Sequence, residues 1–268
     1  MPDRRWISPR IIQKPYAIKN SSVFGTFYKL DYYSKEYSEI IKFMEENRLK
    51  YNEDIVYVYT EFTMEFSDDE IEKAVAFIPN YRENFMEEYE DENFGYKCKQ
   101  CLCRDTSMKL RAKSSKRKKV LQSTETLFRI GEGIDILYGV SNITYERLVQ
   151  KGMNSNNFKE VYSAKKEDKI GYIFHPTKTI NVICPNYINE KCSFCGSIYA
   201  NCKRETSHFP EMYYVKELPS FEKECVIASE EYYDGERLVM LSPKLYHEIK
   251  HLAKKNAFIP VFLEQDKQ

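Results

Sequence analysis

Two short stretches, Cys98-Lys99-Gln100-Cys101 and Cys192-Ser193-Phe194-Cys195, decide how the chain is read. Each sets two thiols at i, i+3. That is the spacing of a knuckle that aims both sulfurs at one point, and two such turns complete a tetrahedron of four thiolates. The pairs stand 94 residues apart. One ion held by both closes that loop, so its binding free energy becomes folding free energy. The expectation is a structural Zn²⁺ on Cys98, Cys101, Cys192 and Cys195. The competing reading is a set of unrelated buried thiols, because free cysteine packs as a small hydrophobe. A redox role for the pairs ranks third.

Outward from these turns, the 268-residue chain is long enough to bury a core without disulfides. Eight cysteines are too few for a disulfide scaffold at that length. Abundant aromatics (22 Tyr, 16 Phe) and scarce glycine (9) mark a folded globular chain. Residues 1–10 carry Asp3, Arg4, Arg5 and Arg10 and lack the apolar stretch of a signal peptide. No apolar run approaches the ~20 residues of a membrane helix. The expected setting is the reducing cytoplasm, with no membrane partner.

Net charge is zero but unevenly placed. Residues 61–97 hold 12 acids against 3 bases, and residues 98–130 hold 10 bases against 2 acids. Such neighbouring blocks speak of partners rather than of fold. The acidic block peaks at residues 83–92 (Glu83, Glu87, Glu88, Glu90, Asp91, Glu92), with Phe85 and Tyr89 among them. The basic block peaks at Lys109–Lys119, seven bases in eleven residues, and with Ser114 and Ser115 it reads as an exposed loop or hairpin tip.

The periodicities predict an α+β fold, a mixed sheet with short helices stapled by the paired knuckles. Residues 1–55 are read as an extension of unknown role packed on the core, and residues 56–268 as the stapled domain. Residues 34–48 predict a helix and Ile55–Phe66 a strand. Ser67 and Glu70 form a capping box that opens a helix with Ile71, Ala74, Val75 and Ile78 as its buried stripe. Further strands are expected at Ile134–Val140, Val161, Ile170–His175, Val226–Ala228 and Leu238–Leu241. A short helix from Asn142 ends near Gly152. The second knuckle is placed in a loop-rich stretch from Cys184 to Cys202. At the C-terminal end, Ser242 as N-cap and Pro243 at the first helical position start a helix. Leu245, Ile249 and Leu252 share one of its faces, and Phe258–Leu263 follows as a strand.

Two motifs compete with the knuckles for function. His247-Glu248-Ile249-Lys250-His251 matches H-E-x-x-H, in which two histidines bind zinc and the glutamate activates water. Against that role, Lys250 places a cation one turn from His247, and few candidates for a third ligand follow. The basic run is a candidate nucleic-acid contact, but no aromatic residue lies inside it to stack a base. For Cys184, Cys202 and Cys225 buried packing is expected, with Cys103, Cys184 or Cys202 as alternative metal ligands. His175 and His208 read as structural. Lys97, Lys99, Arg104 and Lys191 flank the knuckles and offset the charge of about −2 that four thiolates leave on Zn²⁺.

The order of elements resembles the double-CXXCG motif family of bacterial proteins. The carriers are the first CxxC, the segments Ile136-Leu137-Tyr138-Gly139-Val140-Ser141 and Tyr145-Glu146-Arg147-Leu148, then Cys192-Ser193-Phe194-Cys195-Gly196. The chain ends in Leu238–Ser242, a helix and Ala257–Val261. That ending is similar to the strand–helix–strand of polymorphic-toxin immunity proteins. The resemblance covers about residues 56–268 and implies a non-enzymatic immunity protein, which binds and blocks a cognate toxin. On that reading the acidic segment 83–92 is the partner surface. Its charge would steer the chain toward a cationic toxin, and Phe85 and Tyr89 would supply the desolvated anchors. One departure stands out: Leu102 follows the first pair, where the family has the glycine found at Gly196. A branched residue is strained in a left-handed turn, so the first knuckle is expected to be distorted.

Overall fold

A computed structural model describes residues 10–11, 21–22, 25–26, 35, 42, 64–81, 83–88, 94–106, 110–113, 118–131, 136–163, 168–202, 212–221, 224–233, 235–254 and 256–264. The fold is mixed α and β, mostly strands with a few short helices. The chain divides into two compact units, Met1–Glu70 with Glu205–Pro210, and Ile71–Arg204 with Glu211–Gln268. In the first unit β1 (Arg10–Ile11) pairs with β4 (Met64–Glu65), and β2 (Ser21–Ser22) pairs with β3 (Gly25–Thr26). The predicted helix at 34–48 and most of the predicted strand at 55–66 lie outside the described residues.

The capping box is present. Ser67 N–H donates to Glu70 Oε2 at 2.8 Å, and Glu70 N–H donates to Ser67 Oγ at 3.3 Å. The helix it opens, α1, spans only Asp68–Glu72. The expected stripe through Val75 and Ile78 is corrected: Ala76–Pro79 is β5, buried along its whole length. The run Val-Ala-Phe-Ile is apolar on both faces, which suits a central strand better than a one-sided helix. β5 lies between β20 (Glu236–Leu241) and β21 (Phe258–Leu263), antiparallel to both.

The second unit holds a closed barrel and a large sheet. The barrel runs β10 (Leu127–Ile130), β11 (Leu137–Val140), β13 (Lys169–Phe174), β12 (Phe158–Ser163), β9 (Leu110–Lys113), β6 (Phe85–Glu88). Its interior is filled by Met86, Leu110, Ala112, Phe128, Ile130, Val161, Ile170 and Ile173. The Lys109–Lys119 run is therefore no loop where it is described. Leu110 and Ala112 point inward from a barrel strand, and Lys118–Ser123 is helix α2. The nine-stranded sheet has the order β15 (Val182–Ile183), β18 (Tyr213–Val215), β21, β5, β20, β19 (Val226–Tyr233), β17 (Ile198–Cys202), β16 (Tyr187–Lys191), with β14 (Thr179–Ile180) also beside β19.

Helices α3 (Asn142–Gln150) and α4 (Pro243–Ile249) join barrel and sheet. Leu148, Leu245 and Ile249 share one core with Leu127, Val140 and Phe174 of the barrel and with Val226 and Leu241 of the sheet. Both helices open as expected from their caps. Ser141 Oγ accepts from Thr144 N–H at 3.3 Å and Ser242 Oγ from Leu245 N–H at 3.2 Å, with Pro243 in the first turn. A buried Asn157 ties the same two bodies. Its Oδ1 accepts from Cys225 N–H at 2.7 Å, and its Nδ2 donates to Glu224 at 2.7 Å. Among the described residues no helix is long and apolar enough to cross a membrane.

Candidate metal centre

Each cysteine pair occupies the tip of an antiparallel hairpin. The first hairpin joins β7 (Phe94–Tyr96) to β8 (Arg104–Thr106). The second joins β16 to β17, so the stretch read as loop-rich is a hairpin at the sheet edge. Its outer strand, Tyr-Ile-Asn-Glu-Lys, is mostly exposed and shows no apolar alternation for a periodicity to catch. The turns are closed alike. Cys98 N–H donates to Cys103 O at 3.4 Å, and Cys192 N–H donates to Ser197 O at 2.8 Å. The residue after each second cysteine is left-handed: Gly196 at φ 73°, Leu102 at φ 55°. The first turn keeps the left-handed residue but not the full set of bonds: Lys97 N–H is the nearer donor to Cys103 O, at 2.7 Å, and the bond from Gly196 N–H to Cys192 O at 2.9 Å has no counterpart at Leu102.

The two tips meet. The Sγ atoms of Cys98, Cys101, Cys192 and Cys195 all lie within 4.8 Å of one another. Cys98 Sγ is 3.9 Å from Cys192 Sγ, and Cys101 Sγ is 3.6 Å from Cys195 Sγ. A tetrahedral ion with metal–sulfur bonds of about 2.3 Å sets its ligands about 3.8 Å apart. Four cysteines so placed could hold a metal ion. Among the described residues it is the one cluster of three or more ligating side chains.

Both hairpins are anchored on Tyr232, 1% exposed, near the end of β19. It pairs with Tyr199 of the second hairpin. Lys97, at the base of the first hairpin, reaches within 3.4 Å of its hydroxyl, and Arg237 lies over its ring at 4.8 Å. At the β19–β20 turn Gly235, φ 91°, lets the Leu102 carbonyl approach; a Cβ there would stand 3.0 Å from that oxygen. The sheet thus holds both tips. A shallow cleft of about 290 Å³ opens beside the sulfurs, walled by Gln100, Leu102, Lys191, Ser193, Tyr199 and Asn201. Leu102 and Phe194 project at the tips, 56% and 82% exposed.

The thiols are electrostatically unequal. Backbone N–H groups of Cys101 and Gln100 lower the pKa of Cys98. The Ser197 hydroxyl and amide bring Cys195 down to about 6. Burial pushes Cys101 well up, and it raises Cys103. Cys103, absent from the expected ligand set except as an alternative, is fully buried with its Sγ 3.2 Å from that of Cys101.

The other candidate residues are dispersed. Cys184 and Cys225 are buried as expected, whereas Cys202 is exposed on the edge hairpin. In the H-E-x-x-H stretch, His247 lies in α4 and His251 in the 3₁₀ turn Lys250–Leu252. Glu248 receives Lys151 Nζ at 2.6 Å and Arg147 Nη1 at 2.9 Å. These cations hold its carboxyl below the usual range, a poor setting for a general base. In the acidic segment, Glu83 accepts from Lys254 N–H at 3.1 Å, and Phe85 lies under Arg129 at 5.3 Å. Glu87 and Glu88 sit on barrel strand β6; Tyr89, Glu90, Asp91 and Glu92 lie outside the described residues.

No family model, curated protein or solved structure matches the chain.

Proposed function

We propose that this chain is a non-enzymatic immunity protein of the bacterial cytoplasm, which binds a cognate toxin and blocks it on a scaffold stapled by structural Zn²⁺. The observation that carries this reading is the closed set of four thiols at two hairpin tips. Two of the sulfur separations, 3.9 and 3.6 Å, bracket the edge a zinc tetrahedron requires. Four thiolates leave no open coordination position, so zinc here fastens the fold. Function then falls to a surface, and the acidic segment 83–92 is the surface with a chemical preference. Glu87 and Glu88 belong to barrel strand β6, and the charge of the segment would draw a cationic toxin. The closing strand–helix–strand, β20–α4–β21, agrees with the resemblance to immunity proteins.

The test is co-expression of the neighbouring toxin gene with and without this chain, scored as surviving colonies. Rescue by the native chain, and its loss in Glu87→Lys/Glu88→Lys, is the expected outcome. Steeply salt-dependent retention on DNA, without rescue, points instead to nucleic acid as the partner. A peptidase activity abolished by His251→Ala overturns the reading.

A further inference from the structure

The two knuckles align residue by residue in sequence, and one position sets them apart. Cys98, Cys101, Leu102 and Cys103 answer to Cys192, Cys195, Gly196 and Ser197. The correspondence is structural as well as sequential. The carbonyls of Cys103 and Ser197 each close their turn by accepting the amide of the first cysteine. Both side chains are buried. In the second knuckle this place is filled by a hydroxyl, a weak candidate for a soft thiolate-ligated ion. In the first it is filled by a fifth thiol, with its sulfur 3.2 Å from that of Cys101.

The geometry points to Cys103 as a reserve ligand of the metal centre: it takes the coordination position of Cys101 when that thiol is lost, whereas Cys195 has no such substitute. The inference rests on the reading of the four thiols as a metal site. A metal lying about 2.3 Å from Cys101 Sγ lies no more than about 5.5 Å from Cys103 Sγ, given the 3.2 Å between the sulfurs. To reach bonding distance of about 2.3 Å, the Cys103 sulfur therefore has at most the 3.2 Å between the two sulfurs to cross. A single χ1 rotamer change moves a cysteine Sγ by about 3 Å. The αL residue Leu102 stands between the two cysteines, and the fully buried Cys103 sulfur lies against that of Cys101.

The experiment compares Cys101→Ser with Cys195→Ser in the full chain, loaded with Zn²⁺ and, separately, with Co²⁺. The readouts are metal content by mass spectrometry, competition with a chromogenic chelator, and the sulfur-to-cobalt absorption bands. Cys101→Ser is expected to hold a full equivalent of metal with a four-sulfur cobalt spectrum and an affinity within about tenfold of native. Cys195→Ser is expected to weaken by about a hundredfold or more, since it loses an inner ligand. Cys101→Ser/Cys103→Ser should match Cys195→Ser. Equal loss in the two single variants, or equal retention, overturns the inference while leaving the metal site standing. Failure of the native chain to bind either ion overturns the underlying reading instead.

Should Cys101→Ser not fold, Cys103→Ser against Ser197→Ala decides the matter. Metal extraction by chelator is expected to speed up several-fold more in the first, because only there is a standby ligand removed. Equal rates overturn the inference.

Discussion

The two knuckles are the same device built from different residues. One ends in Gly196-Ser197 and the other in Leu102-Cys103, yet both bend left-handed at the first of these and close on the carbonyl of the second. The second obeys the local preference of the backbone, since glycine is at ease at φ 73°. The first violates it and persists because its surroundings over-determine it. Lys97 is tied to Tyr232, Gly235 leaves room for the Leu102 carbonyl, and the opposite sulfurs meet its own. Turn geometry here is imposed by tertiary contact in one case and permitted by sequence in the other.

The largest effect expected from breaking this pair is loss of an inner ligand with no neighbour to replace it. Cys192→Ser should abolish bound metal and lower Tm by about 10 °C or more, several kcal/mol at the 2–4 °C per kcal/mol typical of this size. Metal analysis and calorimetry read it. Chelation of the native chain should reproduce the shift.

The next contrast is chemical. In metal-free protein Cys195 is a thiolate over most of the physiological range, with its pKa brought down to about 6, whereas burial holds Cys101 protonated well above 9. Alkylation mapped by mass spectrometry should show Cys195 half-maximally reactive near pH 6 and Cys101 inert at neutrality. The sign for stability follows. A depressed folded pKa contributes stability that is fully present above the unfolded value near 9 and is lost as pH falls through about 6. Metal-free protein should therefore weaken on acidification through that window. Cys101, shifted the other way, opposes it only at alkaline pH.

Smaller effects test the backbone. Gly235→Ala meets the Leu102 carbonyl and forces a side chain into φ 91°, and should cost about 2 kcal/mol. Gly196→Ala has open space, with its nearest neighbour at 3.9 Å, so only conformation is penalised, by about 1 kcal/mol. Leu102→Gly relieves the strain but frees the unfolded chain. The net gain should be about 0.5 kcal/mol. Denaturation midpoints read all three, and a loss of stability in Leu102→Gly would show that the exposed leucine packs against something not yet in view.

The same contrast explains what was legible in the sequence. The cysteine spacing announces itself because two thiols at i, i+3 have few other uses. The C-terminal β20–α4–β21 is legible because Ser242 and Pro243 mark a helix start through local hydrogen bonding. Residues 71–78 misled because Ile71, Ala74, Val75 and Ile78 fit a helical stripe, while the choice of strand is made by β20 and β21, far along the chain. The basic run misled for the opposite reason. Its charge obscured an alternation, Lys109-Leu110-Arg111-Ala112-Lys113, that marks a barrel strand with Leu110 and Ala112 inside. Nothing local signals that Tyr232 will meet Lys97 and Tyr199, or that Gly235 will meet Leu102.

The insertion of β5 between the last two long strands sets an order of events during synthesis. The barrel strands all fall between Phe85 and Phe174, interrupted by the β7–β8 hairpin, and can assemble before the rest of the large sheet is made. β5 has been translated before any of them, yet both its neighbours emerge only after all of them. A fully apolar segment waits without its sheet partners while the barrel strands are made, exposed to aggregation or to chaperones. Truncation before β21 removes a flank of that segment, so premature termination should yield a chain with a sound barrel and an unfinished sheet.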